Sequence, residues 1–181
     1  MESAAMVRCA HTLVRTMKEE LAETRTVEPI FILLCDHGCH FIAFDPVLFN
    51  DIAGKEAMSA SLRQRAAQEG ARGALIGTDS YAFLPDLEAI RRANQNLVRA
   101  ATAAGIDALI RSGLGRKSEA ISVSLQTPTF HLLFQQLYTR GRGNSIVFRE
   151  LLTIDSREYD SSPVISAGFF DIFTLRGAAR A

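Results

Sequence analysis

The stretch that decides the fold is residues 118–153, SEAISVSLQTPTFHLLFQQLYTRGRGNSIVFRELLT, because three strand-like runs follow one another within it. Apolar and polar residues alternate over residues 119–126, the period of two that is typical of a strand with one covered face. A second run covers residues 129–138, and alternation resumes at residues 146–152. Turn residues separate the runs, so the stretch predicts a three-stranded antiparallel meander.

The residues before the meander predict alternating helices and strands. An amphipathic helix is expected over residues 3–24, followed by a hairpin of two buried strands within residues 29–44. A three-residue loop ending at Gly38 would place Cys35 opposite Cys39 across that hairpin. Three further elements are expected, namely a helix capped by Asn50 or Asp51 and ending at Glu69, a short strand at residues 73–77, and a helix over residues 85–105. Residues 105–118 are expected to form a loop with room for one helical turn.

The predicted order of elements is α-β-β-α-β-α-β-β-β. It indicates an α+β fold, or a mixed α/β fold, built on a single sheet of about six strands with helices packed on it. A length of 181 residues with 48% hydrophobic residues is ordinary for one globular domain, so residues 1–181 are predicted to form one unit. Residues 154–181 are expected to be a C-terminal extension, whose apolar patch at residues 169–173 fits either a strand or a helix.

Composition also narrows the class of protein. The formal net charge is zero and the pI is about 6.9, so the overall charge does not attract the chain to nucleic acid or to an anionic membrane. No apolar run approaches the ~20 residues that cross a bilayer, and no secretory signal is evident at the N-terminus. Three cysteines do not resemble a disulfide framework. A soluble, cytoplasmic protein is expected.

The segment CDHGCH at residues 35–40 contains candidate metal ligands. Cys35, Cys39 and His40 are the predicted set, since thiolates and imidazoles at this spacing can hold zinc. A structural zinc site takes four ligands, and the other cysteine and histidine residues are scattered along the chain. The alternative interpretation is a plain hairpin turn with two buried thiols. No motif in the chain requires an organic cofactor.

Asp79, Lys117 and Glu119 are the candidate catalytic residues. Asp79 follows a predicted strand and Glu119 begins another, so adjacent strands would bring the two carboxylates together with Lys117 nearby. These are the components of a metal-dependent nuclease site or of general acid and base catalysis. The alternative is that the carboxylates cap a helix or pair with a nearby arginine.

Arginines on the predicted loops are candidates for binding an anion. Arg111 and Arg116 lie in the glycine-containing segment before the meander, and Arg140 and Arg142 lie in the loop within it. Residues 113–118 share glycines, a lysine and a serine with phosphate-binding loops, but a strand follows where such loops need a helix. The alternative is a set of solvated arginines that keep a sheet edge soluble.

Three functional hypotheses follow. The favoured one is a noncatalytic module that binds a protein partner or associates with itself as a homodimer, using a sheet edge and the aromatic C-terminal segment. The second is a small hydrolase or nuclease-like enzyme that uses Asp79, Lys117 and Glu119. The third is local binding of nucleic acid or another anion by the arginine-rich loops. A membrane partner is not expected.

Overall fold

The structure is a computed structural model that describes residues 1–43, 52–155, 157 and 172–173. The strands are β1 (Ile30–Cys35), β2 (Gly38–Ile42), β3 (Gly73–Pro85), β4 (Gly115–Gln126), β5 (His131–Arg140) and β6 (Ile146–Asp155). The helices are α1 (Ser3–Thr24), α2 (Ile52–Gln68), α3 (Leu87–Arg92), α4 (Gln95–Ala103) and α5 (Ile106–Arg111). The strands form one antiparallel sheet in the order β2-β1-β3-β4-β5-β6. The predicted α+β fold with a C-terminal strand meander is confirmed.

Helix α1 covers the centre of one face of the sheet. Six of its apolar residues recur at helical spacing and are buried, namely Met6, Ala10, Leu13, Val14, Met17 and Leu21. Opposite them lie buried strand residues such as Leu75, Val123 and Phe134. Each large side chain buried in this way contributes roughly 1.5–3 kcal/mol. The amphipathic pattern predicted over residues 3–24 therefore anchors the main core.

Helix α2 covers part of the opposite face. Met58, Leu62 and Ala66 pack in one buried cluster with β1 and β3 residues, of which Phe31 is an example. Ile172, from the apolar patch predicted near the C-terminus, is buried in the same cluster. Ile172 is therefore part of the core. The sequence alone did not decide whether the patch forms a strand or a helix.

The segment between β3 and β4 differs most from the prediction. The predicted five-residue strand at residues 73–77 continues to Pro85, because residues 78–85 pair with residues 115–122 of β4. The predicted single helix over residues 85–105 is wrong, since Ala93 is extended and the Asn94 side chain accepts a hydrogen bond from the Asn96 amide to start a new helix, α4. The helical turn expected within residues 105–118 is present as the six-residue helix α5.

The hairpin of β1 and β2 also departs from the prediction. Its loop has two residues, so Cys35 pairs with Gly38 and Cys39 pairs with Leu34. Neighbouring residues of a strand point to opposite faces, so this register puts the Cys35 and Cys39 side chains on opposite sides of the sheet. Strand β2 was expected to be buried, but it lies at the edge and is largely exposed, with Phe41 72% exposed.

Strand β6 forms the other edge and contains a β-bulge. Gln136 pairs with Leu151 and Tyr138 pairs with Phe148, so two β6 residues lie opposite one residue of β5. The buried amide of Gln136 donates to the carbonyl oxygens of Arg149, at 2.8 Å, and of Glu150, at 3.3 Å. A bulge of this kind bends an edge strand and disfavours pairing with another sheet.

Some predictions fall outside the described residues. These are Phe44 at the end of the first hairpin, the helix cap at Asn50 or Asp51, and the patch residues Phe169, Phe170 and Asp171. Among the helices that the structure describes, none has both the length and the apolar character that crossing a membrane requires.

Candidate functional site

Asp79 and Glu119 lie on the face of the sheet that α1 packs against, next to the C-terminal end of that helix. In the register of β3 with β4, Asp79 is opposite Ile121 and Tyr81 is opposite Glu119, so the two carboxylates occupy neighbouring rows. The sheet therefore brings together the two acids that the sequence singled out. Glu119 lies inside a twelve-residue strand, because β4 begins at Gly115.

Arg140 of β5 connects these two acids to the rest of the fold. Its Nε donates to Glu119 Oε1 at 2.9 Å, and one terminal nitrogen lies 3.8 Å from Asp79 Oδ2. The other terminal nitrogen donates at 3.0 Å to the carbonyl oxygen of Arg25, the C-cap residue directly after α1. One guanidinium thus joins three strands to a helix terminus, which Arg achieves through its rigid set of donors.

Tyr138 of β5 is the fourth member of this network. Its hydroxyl donates to Asp79 Oδ1 at 2.7 Å and lies 3.3 Å from a terminal nitrogen of Arg140. The ring is fully buried, and burial together with the neighbouring Asp79 carboxylate raises the pKa of Tyr138 well above its ordinary value. Asp79, Glu119, Tyr138 and Arg140 are called the Arg140 network below.

Lys117 does not join the two carboxylates. It belongs to the same face of β4, but its ammonium lies 4.7 Å from the centre of the Tyr81 ring in a cation–π contact. The Asp79 carboxylate accepts a hydrogen bond from Tyr138 and forms an ion pair with Arg140. The Glu119 carboxylate accepts a hydrogen bond from Arg140. This arrangement favours the alternative that the sequence left open, in which the acids pair with an arginine.

Two cavities in the described part of the chain lie away from this network. The larger is an open cleft of about 480 Å³ at the opposite end of α1, lined by residues that include Met6, Arg72 and Phe130. The smaller, about 230 Å³, lies between β2 and α2 and is lined by Ile42, Met58 and Leu62 among others. Neither cavity contains a candidate catalytic residue.

The protonation of Tyr138 gives a test of the network. Because the folded state holds its proton more tightly than the unfolded state, Tyr138 stabilises the fold below about pH 10, and this contribution is lost as the pH rises further. We expect an alkaline titration of tyrosinate absorbance to show one late phase that Tyr138→Phe removes. Tyr81→Phe, at a ring that is 61% exposed and outside the Arg140 network, should leave this late phase unchanged. A late phase that persists in Tyr138→Phe would contradict the assignment.

The four arginines predicted to bind an anion do not form one patch. Arg140 is committed to the Arg140 network, while Arg142 is exposed in the short 3-10 turn between β5 and β6. Arg116 follows Gly115 in β4 and alternates with Lys117, so it lies on the opposite face of the sheet from the network. Arg111 is exposed at the end of α5. Anion binding by this set stays a prediction.

The predicted metal ligands are separated by the register of the first hairpin. Cys35 Sγ and one ring nitrogen from each of His37 and His40 lie within 4.8 Å of one another. Cys39 is on the other face, where it neighbours Cys9 of α1. Partial desolvation and the Cys9 thiol together raise the pKa of Cys39. His37 therefore joins the group in place of Cys39.

A row of buried and half-buried polar side chains was not singled out as a site from the sequence. On the face opposite α1, Ser80 Oγ lies 2.6 Å from Ser122 Oγ, and the Gln135 amide donates to Ser122 Oγ at 3.3 Å. Further along this face, Gln126 Oε1 accepts a hydrogen bond from the Ile172 amide at 2.9 Å. The alternation of serine with apolar residues in β4 was the signal, but it predicts a solvated face equally well.

Comparison with known proteins adds no relative to this description. Searches of protein-family models, curated proteins and solved structures give no match to the chain.

Proposed function

We propose that the protein is a noncatalytic module that associates with a second copy of itself. The contact surface is residues 82–118, called the arm, which comprise the ends of β3 and β4 and the helices α3, α4 and α5 between them. The observation that carries the proposal is the exposure of large apolar side chains on all three of these helices.

The arm projects from the rest of the sheet. Strand β1 pairs with β3 only as far as Gly77, and β5 pairs with β4 only from Glu119 onward. Beyond these points, residues 82–85 and 115–118 pair with each other, and within the described part of the chain they have no further strand neighbour. The helices at the tip are therefore held away from the core.

The arm helices are well formed but poorly covered. Asp86 and Asn94 cap α3 and α4 through their side chains. Among the described residues of the three helices, Ala101 alone is buried, whereas Leu87, Leu97 and Ile106 are 61%, 47% and 51% exposed. Amphipathic helices with an uncovered apolar side are typical of interaction surfaces, because the free energy falls when a partner removes their apolar surface from water.

A second copy suits this surface for reasons of size. The whole chain has no formal net charge that would keep copies apart at neutral pH, although residues 82–118 hold six basic and three acidic side chains. A standard interface takes roughly 20–30 residues from each partner, which the arm can supply in a symmetric contact. The sequence predicted a sheet edge, and not the arm, as the contact surface. Of the two edges of the sheet, that of β6 is interrupted by its bulge.

The proposal is tested by the concentration dependence of the mass in solution. We expect the wild-type protein to form a dimer in sedimentation equilibrium, and the double variant Leu97→Glu with Ile106→Glu to be a monomer, because two buried charges per copy would oppose the contact. Phe41→Glu is the matched control, since Phe41 is exposed on β2, outside the arm.

Two outcomes would overturn the proposal. One is a wild-type protein that stays monomeric across the concentration range, which would direct attention to a different protein partner. The other is a dimer that survives the arm substitutions but is lost in Phe41→Glu, which would move the contact to the β2 edge. Far-UV circular dichroism of each variant establishes that the fold is retained.

The enzyme and anion-binding hypotheses stay predictions. The approach of Asp79 to Glu119 supports the first, but their hydrogen bonds to Tyr138 and Arg140 support a structural role more strongly. The dispersal of Arg111, Arg116 and Arg142 over separate elements gives little support to the second.

A further inference from the structure

The turn between β1 and β2 brings a buried thiol close to two imidazole rings. Cys35 is fully buried at the end of β1, His37 is exposed in the two-residue loop, and His40 is half-buried in β2. The rings of His37 and His40 are in edge contact, with centroids 4.8 Å apart. The register of the hairpin is what assembles these residues, since Cys35 pairs with Gly38 and not with Cys39.

The separations suit one transition-metal ion. The thiol and one nitrogen from each ring lie within 4.8 Å of one another. A tetrahedral zinc ion with bonds of about 2.0–2.3 Å holds its ligand atoms roughly 3.3–3.8 Å apart. The exposed His37 ring, on a turn, can close a difference of this size by rotating its side chain.

Glu69, just beyond α2, supports this group from the side. Its Oε2 contacts His40 Nδ1, and its Oε1 accepts a hydrogen bond from Arg65 Nε at 2.7 Å. A carboxylate bonded to one imidazole nitrogen fixes the ring orientation and leaves the other nitrogen for a metal, as is usual for metal-binding histidines. Glu69 is thus a positioning residue and not a ligand.

We propose that Cys35, His37 and His40 bind one divalent ion of the zinc class, with Glu69 positioning His40. Three protein ligands leave the fourth position to water, and the exposed His37 side of the group gives solvent access to it. Mixed sulfur and nitrogen ligands select zinc, or cobalt as its spectroscopic substitute, over magnesium and calcium. The bound ion would also crosslink β1, the turn and the edge strand β2. This inference is independent of the proposed self-association.

Cobalt binding tests the proposal directly. The full chain, without an affinity tag and under a metal-free reductant, is titrated with Co²⁺, and we expect one equivalent to produce the thiolate-to-cobalt charge-transfer band and the visible bands of a four-coordinate ion. Cys35→Ser should lose the charge-transfer band. His37→Ala, at an exposed position that the fold tolerates, should lose four-coordinate binding without a change in far-UV circular dichroism. Glu69→Gln should weaken binding about 10- to 100-fold.

Cys39→Ser is the matched control, because Cys39 lies on the other face of the sheet beside Cys9. It should bind Co²⁺ as the wild type does, and Zn²⁺ should displace the cobalt in both proteins. Zinc should also raise the midpoint of thermal unfolding in the wild type and in Cys39→Ser, but not in His37→Ala. The proposal is overturned if the charge-transfer band persists in Cys35→Ser, if Cys39→Ser abolishes it, or if the wild type gives no such band.

Discussion

Arg140→Met is expected to lower the free energy of unfolding by about 2–3 kcal/mol, since it removes hydrogen bonds to charged partners from the Arg140 network. The substitution keeps much of the side-chain volume but leaves Asp79 and Glu119 as like charges in neighbouring rows, without their shared cation. It also removes the donor that holds the Arg25 carbonyl at the end of α1. Urea unfolding followed by circular dichroism measures the loss.

Three further variants separate the network from a general effect of charge. Arg142→Met removes the same charge from an exposed turn position, and we expect its stability to lie within about 0.5 kcal/mol of the wild type. Arg140→Lys should recover only part of the loss, since an ammonium lacks the planar set of donors. Glu119→Gln combined with Arg140→Met should cost less than the sum of the two changes, because it removes one unpaired charge. Equal losses for Arg140→Met and Arg142→Met would refute the network.

Gly115→Val is expected to destabilise the protein by about 2–4 kcal/mol and to distort the arm. A Cβ atom at Gly115 would lie 2.4 Å from two atoms of the Phe83 ring and 2.6 Å from the carbonyl oxygen of Leu84. The ring could rotate, but the carbonyl belongs to the paired backbone of β3 and cannot move without breaking the β3–β4 ladder. The change therefore strains the base of the arm.

A comparison of two alanine substitutions isolates this backbone obstacle. At Gly77 a Cβ would approach Met17 Sδ at 2.5 Å, a distance similar to that at Gly115, but the obstacle is the flexible end of a methionine side chain. We expect Gly77→Ala to cost clearly less than Gly115→Ala in urea unfolding. In sedimentation equilibrium, Gly115→Val should weaken self-association while Gly77→Ala should not. The reverse order of stabilities would show that the contact at Gly115 is relieved easily.

The secondary structure of the meander and of α1 could be predicted because their residues follow a local period. The apolar residues from Met6 to Leu21 repeat at the 3.6-residue period of a helix with one buried side. The alternation over residues 119–126 has the two-residue period of a strand with one buried face. The two halves of residues 85–105 were harder to separate. The break depends on Ala93 adopting an extended conformation and on the Asn94 cap, both of which are weaker signals than periodicity.

The candidate site was predictable in its components but not in its partnerships. Asp79 and Glu119 could be singled out because each is an acid next to an apolar run, and their approach follows from the pairing of β3 with β4. Arg140 was grouped with the anion-binding arginines, since its charge was the only property visible. Its partners include Glu119 and Arg25, which are 21 and 115 residues away along the chain, so only the packing of the strands and of α1 could assign them.

The amino-acid sequence by itself determined the number and kind of the strands in the meander, the apolar stripe of α1 and the neutral overall charge, because these depend on local periodicity and on composition. Tertiary structure alone decided which side chains meet. A one-residue difference in the loop of the first hairpin moved Cys39 to the far face and put His37 beside Cys35. Since successive strand residues point to opposite faces, register decides the membership of every site on a sheet.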